Sequence, residues 1–345
     1  MSKSPLVSII IPVYDGGYPF VCCLIAICQT KFDDWELIVV DDGSTDRSAL
    51  IAEKFGAEVL QTNGREGPGA ARNIGAKVAK GEYLCFIDAD CEVVRDAIAG
   101  LAQKLRSNPE IDALFGSYDD RPAANNFIAQ YKNLMHHYVH QQGSEDASTF
   151  WAGFGVVKRE LFLKLGGFDV AKFPRPSIED IDLGYRLKQA GAKIYLAKEL
   201  QVKHHKAWKL FGLIKTDVFD RGIPWTKLLL ENKSNRINDL NLQTSSRISV
   251  IATYSLLLSS VASIFVPIAA IASPILIFLL LWLNWDVYRF FARKRGLWFA
   301  LGVIPLHWLY YFYGGLSFGL GTFAYWQSQL ATSKALKQVD LNTSD

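Results

Sequence analysis

Short apolar runs broken at regular intervals by glycine- and aspartate-rich turns fill the first two hundred residues. Leu6 to Pro12 is rich in β-branched side chains and nearly continuous in apolar character, the pattern of a parallel strand covered on both faces. Asp15-Gly-Gly marks a turn, Phe20 to Gln29 a short apolar helix, and Trp35 to Val40 and Ala57 to Gln61 two further strands. A glycine-rich loop, Gly64 to Gly69, opens the small-residue helix Ala70 to Ala79, which can pack close to a sheet. The apolar stretch that follows, Gly81 to Cys91, ends on Asp88 and Asp90. Strands alternating with helices at this interval imply crossover units, a mostly parallel sheet and an α/β fold.

Further along, Ile111 to Ser117 and Val156-Val157 read as strands, and Arg159 to Leu165 and a segment opening at Ile178 as helices. Phe127 to Gln141 carries Phe127, Ile128, Tyr131, Leu134, Met135 and Tyr138 at helical spacing, which predicts an apolar stripe against the domain. His136 and His140 stand on the other side, where solvated histidines are the default and a zinc pair the alternative. Lys193 to Ala197 and Gln201 to His205 read as two short strands.

The pattern then changes. Lys206 to Thr216 and Trp225 to Leu230 interleave lysines with tryptophan, phenylalanine and leucine, a composition suited to a lipid interface. Beyond a polar linker, Ile248 to Trp285 contains no charged residue. At about 1.5 Å per residue this run exceeds one crossing of a roughly 30 Å hydrocarbon core, so two spans broken near Pro267 and Pro274 are expected. Leu297 to Trp326 is a third charge-free run, crossing once or broken at Gly314-Gly315 into a re-entrant pair, with Gly315 and Gly319 spaced for close helix contact. Arg236 and Arg247 before the first run, and Arg289 and Arg293 to Arg295 after it, place both flanks in the cytoplasm by the positive-inside rule. The expected division is a catalytic domain at 1–205, interfacial pieces and linker at 206–246, a transmembrane region at 247–330 and a polar tail at 331–345.

Composition adds little beyond this. A net charge of +3 argues against a nucleic-acid partner. No secretory leader is legible, and five cysteines without paired zinc spacing suit reduced thiols on the cytoplasmic side of an inner membrane.

Candidate chemistry gathers where strands stop, since ligands of parallel sheets collect at the carboxyl ends of strands. Tyr14, Asp42 and Asp88 all fall there. Asp88 and Asp90, one residue apart, share a face if the extended geometry persists, and such a pair suits Mg²⁺ or Mn²⁺ with substrate phosphates completing the shell. Ser44 or Thr45 can cap the helix after Asp41-Asp42-Gly, and Glu179 and Asp180 open a later helix at its positive end.

Five stretches, in order, carry a family resemblance: Val7 to Tyr14, Asp41 to Asp46, Gly69 to Gly75, Asp88-Ala-Asp90 and Glu179-Asp180. With them the first two-thirds of the chain resembles an inverting, membrane-anchored family 2 glycosyltransferase of the nucleotide-sugar-binding GT-A fold. The resemblance implies that Pro12, Tyr14 and Asp42 hold the nucleoside of a nucleotide-sugar donor, a UDP-sugar above all. It also implies that Asp88 faces ribose and diphosphate, that Asp90 is the principal ligand of Mn²⁺ or Mg²⁺, and that Asp180, beside Glu179, is the general base. Arg72 is the candidate cationic helper of the leaving diphosphate, with a salt-bridged surface arginine as the equal alternative. His204 or His205 is expected at the metal, with His205 preferred. Trp151, Arg221 and Trp225 are expected on the acceptor side. Arg221-Gly-Ile-Pro-Trp225 only partly resembles the Arg/Gln-x-x-Arg-Trp motif of processive synthases, because Pro224 replaces its arginine, which argues for transfer of one sugar to a lipid acceptor. A polyprenyl-phosphate sugar synthase is the alternative within the class, and an inactive membrane adaptor the alternative outside it. A dinucleotide oxidoreductase is disfavoured because Asp15-Gly-Gly-Tyr lacks the glycine fingerprint.

Overall fold

A computed structural model describes residues 4–232 and 243–342, with side chains to residue 331, and divides between Lys209 and Leu210 into two units. Arg236 and most of the expected linker lie outside the described residues.

The first unit runs β1 (Val7–Val13), α1 (Gly17–Cys28), β2 (Trp35–Asp41), α2 (Ser48–Lys54), β3 (Glu58–Gln61), α3 (Pro68–Val78), β4 (Tyr83–Ile87), β5 (Cys91–Val93), α4 (Ala97–Ser107), β6 (Ala113–Tyr118), α5 (Phe127–Gln142), β7 (Phe154–Lys158), α6 (Arg159–Lys164), α7 (Glu179–Gln189) and β8 (Ile194–His204). Its sheet has the order β3-β2-β1-β4-β7-β6-β8-β5. The β3-β2-β1-β4 half is parallel, as the crossover pattern predicts. Beyond β4 the sheet is mixed, because β7 lies antiparallel to both β4 and β6, while β6 and β8 are parallel.

Two apolar layers explain the continuous strands. Ile9, Ile11, Val39 and Cys85 are buried on one face, and Ile10, Val40, Leu84 and Phe86 on the other. Pro68 opens α3, where a missing N–H costs nothing. A methyl group on Gly75 would sit 2.6 Å from Ile10, so the small residues of α3 do allow close approach to the sheet.

The structure differs from the sequence reading in three places here. The two short strands at 193–205 are one strand, β8, because Lys198 and Glu199 do not break it: Glu199 pairs with Lys104 of α4. The irregularity lies opposite, as a register shift between Phe115 and Ser117, where any side chain on Gly116 would strike the Leu200 carbonyl at 2.3 Å. The buried residues of α5 include Tyr131 and Leu134 of the expected stripe, but also Gln130, Lys132, Asn133, His137 and His140, whereas Phe127 is exposed and Ile128, Met135 and Tyr138 are only partly covered. His140 is therefore not solvated; it packs on Phe115, Tyr118 and Trp151, and burial lowers its pKa to about 4. Finally, β5 and α4 were missed: β5 is only three residues long, and α4 was overlooked although Ala97, Ile98, Leu101, Ala102 and Leu105 recur at helical spacing and are buried.

The second unit contains α8 (Leu210–Lys215), a π-helical stretch (Thr216–Gly222), α9 (Ile223–Glu231), α10 (Thr244–Ala262), a 3-10 turn (Pro267–Ile271), α11 (Ala272–Leu283), α12 (Trp285–Arg295) and α13 (Leu297–Asn342). The break expected near the prolines is at Pro267; Pro274 falls in the first turn of α11, where proline is tolerated. Gly314-Gly315 does not interrupt α13, so there is no re-entrant pair. Gly315 makes the close contact expected of a small residue, since a methyl group there would lie 2.4 Å from Tyr254 of α10, whereas Gly319 faces open space.

Inside this bundle Asn284 donates to Ser249 Oγ of α10 at 3.1 Å and to the Leu280 carbonyl at 2.9 Å, and accepts from the Tyr311 hydroxyl of α13 at 2.6 Å. Outside it, Leu258, Phe265, Ile268, Phe278 and Trp282 are largely exposed. Among the described residues no single helix is long and apolar enough to cross a membrane; one pair, Pro267–Leu283 with Trp285–Arg295, passes together across a 62° bend.

Candidate active site

The carboxyl ends of β1, β2 and β4 carry Tyr14, Asp42 and Asp88, and the turns there hold one another in place. Asp15 Oδ1 accepts the Thr45 amide at 2.7 Å, while Ser44 and Ser48 hydroxyls accept the amides of Asp15 and Gly16, each at 3.0 Å. Ser44 and Thr45 thus tie two strand-end loops together instead of capping α2, whose first amide, that of Ser48, is accepted by Asp46 Oδ1 at 2.9 Å. Asp42 is buried, and both its oxygens are engaged by the loop before α3: Oδ1 accepts the Glu66 amide at 2.8 Å and the Thr62 hydroxyl at 3.0 Å, and Oδ2 the Gly67 amide at 2.8 Å. Arg65 from that loop lies over the Tyr14 ring, 4.0 Å from its centroid. Pro12 is buried within β1, opposite Val40. Loop 62–67, unmarked in the sequence beyond its glycines, therefore joins Tyr14 and Asp42 in the wall at the carboxyl ends of β1 and β2.

At the end of β4 the chain turns, with the Cys91 amide donating to the Asp88 carbonyl at 2.9 Å. That turn ends the extended geometry, so Asp88 and Asp90 do not share a face. Asp88 pairs with the buried Arg72 of α3, whose other nitrogen lies 3.4 Å from Glu179. Arg72 is consequently a buried cation, ion-paired with Asp88 after β4 and with Glu179 at the start of α7. Glu179, its other oxygen taken by the Ser177 amide at 2.9 Å, is likewise held in structure.

Asp90 turns the other way, to His204, with Nε2 3.4 Å from Oδ2. Burial would raise the Asp90 carboxyl, but His204 and then Lys206 outweigh it and bring it below its ordinary value. His204 is aimed by Asn133, 2.7 Å from Nδ1, and stacks on Tyr118 with centroids 4.5 Å apart. His205, the residue preferred at the metal, is elsewhere: its Nε2 lies 2.7 Å from Glu92. Alternation explains this, because His204 is opposite Cys91 in the β5–β8 pair and its successor must face the other way.

The atoms of Asp90, His204 and Cys91 lie within 4.8 Å of one another and could hold a cation. One carboxylate and one imidazole fit a Mn²⁺ or Mg²⁺ that takes its remaining oxygens from phosphate. Burial, then Asp90, pushes the Cys91 thiol well above its usual range, which disfavours it as a thiolate ligand.

Asp180 is the carboxylate of this cluster without a cationic partner in hydrogen-bond contact. Its Oδ2 accepts the Ala152 amide at 3.2 Å and its Oδ1 the Ile181 amide at 2.8 Å. Burial first, and Glu179 second, push its pKa up to about 7. Trp151, next to Ala152, packs edge-on against Tyr118 with centroids 4.6 Å apart and is partly exposed. Arg221 and Trp225 belong to the second unit, where Arg221 lies 3.5 Å from Asp217 and Asp217 accepts the Tyr313 hydroxyl at 2.9 Å. A cavity of about 460 Å³ lies apart from these groups, lined by Arg95, Asp119, Arg121 and Lys203 among others.

Comparison with known proteins gives this arrangement a context. Residues 8–166 match the family model described as glycosyl transferase family 2. The chain is 26% identical over 255 residues to the glycosyltransferase GlyG of Streptococcus pneumoniae, covering 68% of this chain and 81% of GlyG. It is 26% identical over 193 residues to an uncharacterised glycosyltransferase of Haemophilus influenzae, covering 53% of this chain and 62% of that protein. Among solved structures, the mannosyltransferase PcManGT from Pyrobaculum calidifontis, in complex with GDP-Man and Mn²⁺, aligns with a TM-score of 0.50 at 16% identity, over 93% of this chain and 85% of that one. At that identity the likeness concerns the fold alone.

Proposed function

We propose that this glycosyltransferase, whose residues 8–166 match the family 2 model, moves a single sugar from a nucleotide-sugar donor, a UDP-sugar, to a lipid acceptor, with inversion at the anomeric carbon. The observation that carries this reading is the state of Asp180: a carboxyl at about 7, oriented by two backbone amides, beside ion-paired carboxylates that cannot serve as bases. A general base works best with a pKa near the operating pH.

The acceptor hydroxyl gives its proton to Asp180 as its oxygen attacks the anomeric carbon, and the nucleoside diphosphate leaves from the opposite face. Asp88, Asp90, Glu179 and Asp180 face two neighbouring cations, Arg72 and Lys206, so the crevice is acidic and disfavours an incoming diphosphate. A divalent cation held by Asp90 and His204 would supply the missing positive charge and orient the diphosphate. Arg72 keeps Glu179 and Asp88 in place and so preserves the charge that raises Asp180. Tyr14, Arg65 and the Asp42-bound loop form the nucleoside side of the site.

The membrane part of the proposal rests on the exposed apolar side chains of α10, α11 and their connection, which in water would form an unusually large uncovered patch. A bilayer is the covering that chemistry fits. The basic residues Arg293, Lys294 and Arg295 at the end of α12 support, by the positive-inside rule, a cytoplasmic location for that end, and the reading takes the catalytic domain to be cytoplasmic at an inner membrane. A hydroxyl acceptor is preferred to a polyprenyl phosphate, because a phosphate monoester is already ionised and needs no base.

Incubating membranes that contain the protein with a panel of radiolabelled nucleotide sugars tests the proposal. Label should enter the lipid extract from one donor, in a product that survives if Asp90 and Asp180 are intact. Label appearing only in a long water-soluble polymer, or in no fraction from any donor, would refute it.

A further inference from the structure

Opposite the Asp90–His204 pair, the same β5–β8 ribbon presents a second set of donors. Glu92 follows Cys91 and His205 follows His204, so both side chains emerge on the reverse face. There they meet Cys22 from the second turn of α1. The thiol sulfur, a carboxylate oxygen and an imidazole nitrogen all lie within 4.8 Å of one another. Tyr18, one helical turn before Cys22, lies on the same side of α1.

We propose that Cys22, Glu92 and His205 bind a zinc-class divalent cation, at a site separate from the catalytic one. The donor types argue for this class: an accessible thiol with an imidazole and one carboxylate is a zinc set, whereas the thiol beside the Asp90–His204 pair, Cys91, is fully buried and disfavoured as a thiolate, which leaves that pair to a harder ion completed by phosphate oxygens. A plain Glu92–His205 hydrogen bond at 2.7 Å accounts for two of the groups and leaves the thiol's convergence on them unexplained. Three separate segments supply the ligands, α1, β5 and the residue after β8, so the cation would pin α1 to the ribbon that carries Asp90 and His204. Tetrahedral ligands about 2.0 Å from zinc stand roughly 3.3 Å apart. The Glu92–His205 pair need open only by that small difference, which a side-chain rotation provides. His205 and Glu92 have 10% and 33% of their side-chain surface exposed, covered enough to share a dehydrated ion and open enough to admit one. Water or the Tyr18 hydroxyl completes the fourth position.

Cobalt(II) titration of the full-length chelator-treated protein tests the site, because a cobalt–thiolate bond gives a charge-transfer absorption that carboxylate and imidazole ligands do not. Wild-type protein should develop this band, lose it to added zinc, and melt at higher temperature with zinc present. Cys22→Ser should abolish the band, and His205→Gln should weaken zinc binding at least 10–100-fold, the loss that even outer-shell partners of a metal cause. Asp90→Ala and Cys91→Ser, on the other face, should retain both band and melting shift. No thiolate band in wild-type protein overturns the proposal, as does a band that survives Cys22→Ser or disappears with Cys91→Ser alone.

Discussion

Replacing Asp180 by asparagine should make the protein inactive and, at alkaline pH, more stable. In the folded protein the carboxyl titrates at about 7 against an ordinary value of 3.8. A carboxyl raised on folding binds its proton more tightly in the native state, so its stabilising protonated form is fully present below pH 4 and is lost as pH rises through 7. Three pKa units correspond to a penalty on the order of 4 kcal/mol above pH 7. Asparagine carries no charge and escapes it. It has one acceptor where Asp180 uses two oxygens, for Ala152 and Ile181, so one amide loses its partner at a cost of about 1–3 kcal/mol. That cost does not vary with pH. The stability gap between variant and wild type should therefore shift in the variant's favour by about 3–4 kcal/mol from pH 4 to pH 8, read from denaturant unfolding at both pH values. Turnover should fall roughly 10²–10⁴-fold. A stability difference that stays constant with pH would refute the reasoning about Asp180, whatever happened to turnover.

Wild-type turnover under saturating donor should rise about tenfold between pH 6 and pH 8 as Asp180 ionises, and Glu179→Gln, which removes a neighbouring negative charge, should move that limb to lower pH; a limb that does not move detaches Glu179 from the base. Arg72→Met leaves Asp88 and Glu179 uncompensated in a buried place and should cost about 3–5 kcal/mol in unfolding free energy, where a free cationic helper would have lowered turnover and left stability alone. Asp90→Ala should remove the response of transfer to added Mn²⁺ or Mg²⁺, while His205→Gln should retain it; the reverse result would reinstate His205 as the catalytic ligand. Phe265→Asp with Ile268→Asp should shift the protein from the membrane pellet toward the detergent-free supernatant, and an unchanged distribution would argue against a bilayer over that surface.

The parallel half of the sheet was legible because strands buried on both faces must be apolar throughout, and glycine and aspartate punctuate them. The positions of Asp42, Asp88, Asp90 and Asp180 followed from strand ends and from motif order. Their partners did not. Asp88 and Asp90 diverge because a turn begins at Asp88, and one residue of lost extension reverses a side chain. The tandem histidines are separated by the same parity rule, but only the register Cys91 opposite His204 says which one reaches Asp90. Arg72 meets Glu179 across 107 positions of chain, a pairing that no local pattern encodes. On α5 the periodicity held only in part: Tyr131 and Leu134 are buried as expected, but the inward face also carries His140, packed on aromatic rings, His137, at the Tyr118 carbonyl, and Asn133, which holds His204, so polarity there does not mark exposure.

The asparagine at the start of α12 has a consequence for the order in which the second unit is completed. Ser249 and the Leu280 carbonyl satisfy its amide hydrogens as soon as α10 and α11 meet, but its oxygen waits for Tyr311. That hydroxyl arrives on α13, which is synthesised after α10 and α11. Until then the two earlier helices carry an unanswered acceptor between them. Asn284 therefore acts as a latch that only a correctly registered α13 can close, and a helix that docks one turn out of step leaves it open.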